Sequence, residues 1–103
     1  MKQINIRVGR RYEPVKIRLT NMRNGFNMFG ERFVITDFIG FKDRTIKDYD
    51  GIKYTVTHYK TGCAILHSDC NIKQTILKAK MLLNLKGYKV VQEAINGLIE
   101  INK

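Results

Sequence analysis

The sequence predicts an α+β domain: an antiparallel meander of five or six strands, then one or two C-terminal helices packed on one face. Three observations carry this reading. Apolar and polar residues alternate as far as about His67, the period of a strand with one buried face. Turn-forming residues interrupt the alternation at short intervals. After Asn71 the apolar spacing lengthens to three and four residues, the period of a helix.

The first two strands are the clearest. Ile4, Ile6 and Val8 alternate with Gln3, Asn5 and Arg7, and Val15, Ile17 and Leu19 with Lys16, Arg18 and Thr20. Between them, Gly9–Pro14 contains both a Gly and a Pro, so the pair reads as a β-hairpin turning through that stretch. Such pairing puts Arg7, Lys16 and Arg18 on one outward face, with Arg10 and Arg11 at the tip and Tyr12 available for stacking. A loop is expected around Asn21–Gly30, with Asn24-Gly25 as a turn, and a Phe-rich strand over Glu31–Phe41. Asp50-Gly51 is a hairpin signal between Thr45–Tyr49 and Ile52–Tyr59. A further turn at Lys60-Thr61-Gly62 leads into Cys63–His67.

Ser68, Asp69 and Asn71 can each cap a helix, because a side-chain oxygen satisfies an otherwise orphaned N–H. Ile72, Ile76, Ala79 and Leu83 then form one helical stripe, and Gly87 suits the position that ends it. Leu77, Met81 and Leu85 form a second stripe, well around the helix from the first. One sheet cannot cover both. The cover is expected from the C-terminal segment or from a second copy of the chain, so these three are the candidate interaction residues and a homodimer is one expected assembly. Residues 88–101 admit two readings. Val90, Ala94 and Leu98, with Val91, Ile95 and Ile99, repeat every four residues and fit a helix. Asn96-Gly97 between apolar runs favours a hairpin instead, and Gly costs a helix interior about 1 kcal/mol. The helix is preferred, because the second stripe needs a partner.

A length of 103 residues, 44% of them hydrophobic, fits a single domain over 1–103 with one modest core. No apolar run approaches the roughly 18 residues of a membrane span, and no signal-peptide core opens the sequence, so a cytoplasmic location is expected. The net charge of +10 is unevenly placed. Residues 1–24 hold seven bases (Lys2, Arg7, Arg10, Arg11, Lys16, Arg18, Arg23) against Glu13 alone. Residues 25–70 are neutral, while 71–89 hold five lysines and no acid. Two basic blocks therefore flank a neutral centre.

Catalytic chemistry finds little support. His58, Cys63, His67 and Cys70 are the ligand types of tetrahedral zinc, but their H-x4-C-x3-H-x2-C spacing matches no zinc-finger pattern. They are expected to be ordinary sheet residues, with no metal and no cofactor. Cys70 near a helix start has the setting of an activated thiol, though a half-buried structural thiol is the simpler reading. The spacing leaves a Cys63–Cys70 disulfide open. Asp43, Asp48 and Asp50 fall in a turn-rich stretch, where Asp normally serves turn chemistry. No glycine-rich phosphate loop is present. The chain is expected not to be an enzyme.

The basic blocks suggest binding. Lys and Arg that neutralise phosphates release counterions, and Arg also stacks on bases. Candidate nucleic-acid-binding residues are Arg7, Arg10, Arg11, Lys16, Arg18 and Arg23, with Lys73 and Lys80, which lie together between the helical stripes. Their expected partner is RNA or DNA. The competing reading is a solvated basic face.

The segment Gly51–Ile65 (GIKYTVTHYKTGCAI) followed by Lys73–Ala79 (KQTILKA) resembles the hairpin-then-helix ending of many small proteins encoded by bacteriophages and mobile elements. It covers about a third of the chain. Proteins of that kind include inhibitors of host defence, anti-CRISPR proteins among them. The resemblance implies a bacterial cytoplasm and, as an alternative function, inhibition of a host-defence nuclease such as a CRISPR effector. Many anti-CRISPR proteins are acidic DNA mimics, whereas this chain is basic. A nucleoprotein or an acidic protein surface is therefore the expected partner on that reading.

Overall fold

The computed structural model describes residues 2–8, 11–17, 25–37 and 51–102, with some side chains within the strands, including those of Arg11 and Lys16, outside that description. Six antiparallel strands and two helices follow in order: β1 (Lys2–Val8), β2 (Arg11–Ile17), β3 (Gly25–Met28), β4 (Glu31–Asp37), β5 (Tyr54–His58), β6 (Ala64–Ser68), α1 (Ile72–Lys86) and α2 (Tyr88–Asn96). The α+β class and strand-then-helix order are those the sequence predicts. The meander is divided, however: β1-β2 is a separate ribbon, and β3-β4-β5-β6 form the main sheet in sequence order.

Two local expectations are corrected. The first turn is much shorter than Gly9–Pro14: Val8 pairs with Arg11, and Pro14 sits inside β2 opposite Asn5. A proline is tolerated there because Asn5 turns its own N–H and C=O away from β2, so this is a position where the ladder needs no donor. Tyr12 likewise is a strand residue opposite Arg7, not a loop residue. The expected loop at 21–30 contains strand β3, which pairs with β4 through Phe26–Phe33 rings stacked at 5.1 Å. The strand expected at Thr45–Tyr49 lies outside the described residues, as do Phe38–Phe41.

Pleating of the main sheet sends alternate residues to opposite faces, and both faces are covered. Phe33, Ile35 and Val56 bury against Ala79 and Leu83 of α1 and Val91 of α2. The register pairs Ile35 with Val56 and Phe33 with His58, so these side chains share the helix face. Val34, on the other face, buries against Ile4 of β1, with Ile6 and Tyr59 alongside. The main sheet therefore lies between the helices and the hairpin.

Helix α1 starts as the sequence indicates. Asn71 is the cap, its side chain accepting from Gln74 N at 2.9 Å. Buried Thr75 reinforces the start, its hydroxyl 2.9 Å from Ser68 Oγ and 2.8 Å from Asn71 O. Gly87 ends α1 at φ 84°, its N–H donating to Leu83 O at 2.9 Å, and α2 begins at the next residue. Residues 88–96 are thus helical, ending before Gly97. The expected reason for that helix fails, though: Leu77, Met81 and Leu85 stay exposed, because α2 packs near the core stripe and not over the second one. Among the described residues, no helix is long and apolar enough to cross a membrane.

Candidate nucleic-acid interface

The hairpin is fastened to the main sheet through the turn that joins β5 to β6. Four residues, Tyr59–Gly62, make this turn; His58 N donates to Cys63 O and Gly62 N to His58 O, each at 2.9 Å. The turn is one residue longer than the Lys60-Thr61-Gly62 turn expected from sequence, and a bulge at Val56/Thr57 takes up the register difference. Gly62 is required at its end. It has φ 69°, and a Cβ there would lie 2.8 Å from Asn5 O, 3.1 Å from Arg7 N and against Ile101 Cδ1.

Two arginines are anchored at the two ends of this turn. At one end Arg7 N donates to Gly62 O at 2.7 Å, and its guanidinium reaches to 4.0 Å from Cys63 Sγ and 6.0 Å from the Tyr12 ring centroid. At the other end Tyr59 N donates to Arg32 O at 2.9 Å, and the Arg32 guanidinium lies 4.7 Å over the Tyr59 ring. Cation–π contacts of this exposed kind contribute about 0.5–1 kcal/mol each. They orient each guanidinium over its ring; Arg32 is exposed, whereas Arg7 is half-buried and directs its Nη1 to Cys63 Sγ. Lys60 is exposed in the turn between them, and Tyr12 is exposed on β2.

Of the residues singled out in the sequence, Arg7 is placed at this surface, but half-buried and not fully outward. Arg11 and Lys16 contribute backbone positions on β2, Lys16 opposite Gln3, while Arg10, Arg18 and Arg23 lie outside the described residues. Lys73 and Lys80 are exposed on α1, across the main sheet from the hairpin, so they do not join Arg7. Lys80 approaches the Phe26 ring at 5.7 Å instead. Sequence reasoning missed Arg32, Tyr59 and Lys60 because the 25–70 stretch is neutral on average. The alternation around Arg32-Phe33-Val34 carried the signal: it places Arg32 with Val34, on the face that the hairpin covers.

His58, Cys63, His67 and Cys70 do not converge; among the described residues, no group of three or more His, Cys, Asp or Glu could hold a metal ion. Both thiols are free. His58 is buried on the helix face, its Nε2 2.8 Å from Glu31 Oε2 and its Nδ1 2.8 Å from Thr61 Oγ1. A carboxylate only accepts, so Nε2 donates to Glu31, while Nδ1 is paired with the Thr61 hydroxyl. Both ring nitrogens are thereby satisfied in structural bonds. His67 is on the opposite face, its Nδ1 2.9 Å from Thr55 Oγ1, and partial burial lowers its pKa from the ordinary 6.5. Cys70 Sγ lies 3.4 Å from Asp69 Oδ1, just before the α1 cap. An apolar cavity of about 270 Å³ opens between α1, α2 and the sheet, with His58 and Thr61 in one wall among Phe33, Ile65, Leu83 and Val91.

No family model, no curated protein and no solved structure matches the chain.

Proposed function

We propose that the chain is a small non-catalytic binding protein that engages nucleic acid, alone or within a nucleoprotein, through the hairpin and the Tyr59–Gly62 turn. The observation that carries this reading is the pairing of Arg7 with Tyr12 and Arg32 with Tyr59, with Lys60 between them. Phosphate contacts from Arg and Lys supply affinity, and the exposed Tyr12 ring adds base stacking on an unpaired strand. The net charge of +10 adds long-range attraction to the same polymer.

The test is fluorescence anisotropy with a 20-nucleotide single-stranded RNA, the same sequence as DNA, and duplex DNA, between 50 and 300 mM salt. Binding should weaken steeply with salt, and Arg7→Ala with Arg32→Ala should weaken it by about tenfold and flatten the salt slope by one to two contacts. Affinity that ignores both salt and these substitutions would end the proposal.

A second reading, a protein-directed inhibitor of a host-defence nuclease in a bacteriophage setting, is favoured by the exposed Leu77, Met81 and Leu85. Isolation of a stoichiometric complex with such a nuclease after nucleic acid has been digested away would support it, and a complex that falls apart on digestion would return the first reading.

A further inference from the structure

The solvent face of α1 carries an apolar ridge that the fold leaves uncovered. Leu77, Met81 and Leu85 are 55%, 69% and 86% exposed. Their i, i+4, i+8 spacing lines them along about 12 Å of helix, almost opposite the buried Thr75, Ala79 and Leu83. Single exposed apolar residues need no explanation, but three in a row on a rigid helix form a surface.

We infer that this ridge is a docking site for an acidic amphipathic helix of a partner protein. Charge selects the partner. Helix α1 holds four lysines, Lys73, Lys78, Lys80 and Lys86, and no acid. By helical position Lys73 and Lys80 lie on one side of the ridge and Lys78 on the other, Lys78 reaching Asp69 at 3.9 Å. A second copy of this chain would set the same lysine rims against each other around a two-fold axis, which like charge opposes. A partner helix whose apolar seam is rimmed by Asp or Glu meets attraction on both sides.

Shape selects a helix. A ridge of residues four apart fits the groove between ridges on another helix. A helix lying in a membrane surface buries a wider apolar face, commonly with aromatic anchors. Here the strip is one residue wide, contains no aromatic, and has Gln74 and Asn84 beside it on the same face. A nucleic-acid backbone offers nothing to bury Leu or Met. The site is separate from the nucleic-acid surface, which lies across the main sheet.

The probe is a synthetic 21-residue helical peptide with Leu at heptad a and d and Glu at e and g, fluorescently labelled, together with a copy carrying Lys at e and g. The full chain should bind the Glu peptide and not the Lys peptide. Leu77→Gln/Met81→Gln/Leu85→Gln should lose at least tenfold in affinity, and Lys73→Gln/Lys80→Gln several-fold. These positions are exposed, so thermal melting of both variants, and nucleic-acid binding of the Gln triple variant, should match the parent. Equal binding of the Glu peptide by the parent and the Gln triple variant would overturn the inference, because charge alone would then account for it. Uptake by vesicles of three parts phosphatidylcholine to one part phosphatidylglycerol, without peptide binding, would assign the ridge to a membrane surface. A dimer in sedimentation equilibrium that Met81→Glu dissolves would assign it to a second copy.

Discussion

Asn102 pairs with Asn5 as a neighbouring strand would. Its Nδ2 donates to Asn5 O at 2.7 Å, and Asn5 N donates to its Oδ1 at 2.8 Å. The same Nδ2 donates to Tyr59 O at 2.6 Å, and the Asn102 and Ile101 amides both donate to Lys60 O. One buried carboxamide close to the C-terminus therefore ties β1 to the β5–β6 turn. Replacing it should be costly, because three backbone groups lose their partner. Asn102→Ala is expected to destabilise by about 2–3 kcal/mol in urea unfolding. Asn102→Asp should cost at least as much at neutral pH, since a carboxylate cannot donate to Asn5 O or Tyr59 O.

Gly62 sits where that junction is tightest. Gly62→Ala combines a positive φ with a Cβ only 2.8 Å from Asn5 O. A loss of about 2–4 kcal/mol is expected. Hydrogen exchange should show β1 losing protection more than α1 does. Gly51→Ala is the control: its φ of 86° is also positive, but a Cβ there meets nothing within 4 Å, so it should cost less.

Ile4 is buried against Val34 on the hairpin side of the main sheet. Ile4→Ala should cost about 2–4 kcal/mol. Because Ile4 and Asn102 both hold β1 in place, the double variant should fall short of additivity by at least 0.5 kcal/mol. Strict additivity in a double-mutant cycle would mean that they act on separate units.

His67 gives a pH dependence with a defined sign. Partial burial of this otherwise exposed ring lowers its folded-state pKa below the unfolded value of 6.5, so the unfolded chain binds more protons as pH falls past 6.5. Its contribution is thus present above that value and is lost through 6.5 towards and below the lowered folded pKa. His67→Asn should flatten this part of the stability–pH curve. Thermal melts between pH 5 and 7.5 measure it.

Much of the fold was legible because the local signals were strong. The alternation Gln3–Val8 marked β1, and Asn71 with Ile72, Ile76, Ala79 and Leu83 marked the start and the buried face of α1. Pro14 misled because a proline is a turn signal by propensity. Only the partner of Asn5 reveals that its strand position needs no donor. Phe26 and its neighbours read as loop because a four-residue strand is too short to show a period. Of the candidate interface, Arg7 was legible from charge, whereas Arg32, Tyr59 and Lys60 were hidden in a stretch of zero net charge.

Sequence alone determined the α+β class, because strand and helix periods are properties of neighbours along the chain. It also determined that charge gathers in two blocks, and that α1 carries more apolar surface than one sheet can cover. Tertiary structure decided how those pieces are used. It set the hairpin on one face of the main sheet and the helices on the other, which separates Arg7 from Lys73 and Lys80. It left Leu77, Met81 and Leu85 in solvent, and it joined Asn5 to Asn102. Such contacts depend on which faces meet, and local spacing carries no information about pairing between residues 97 positions apart.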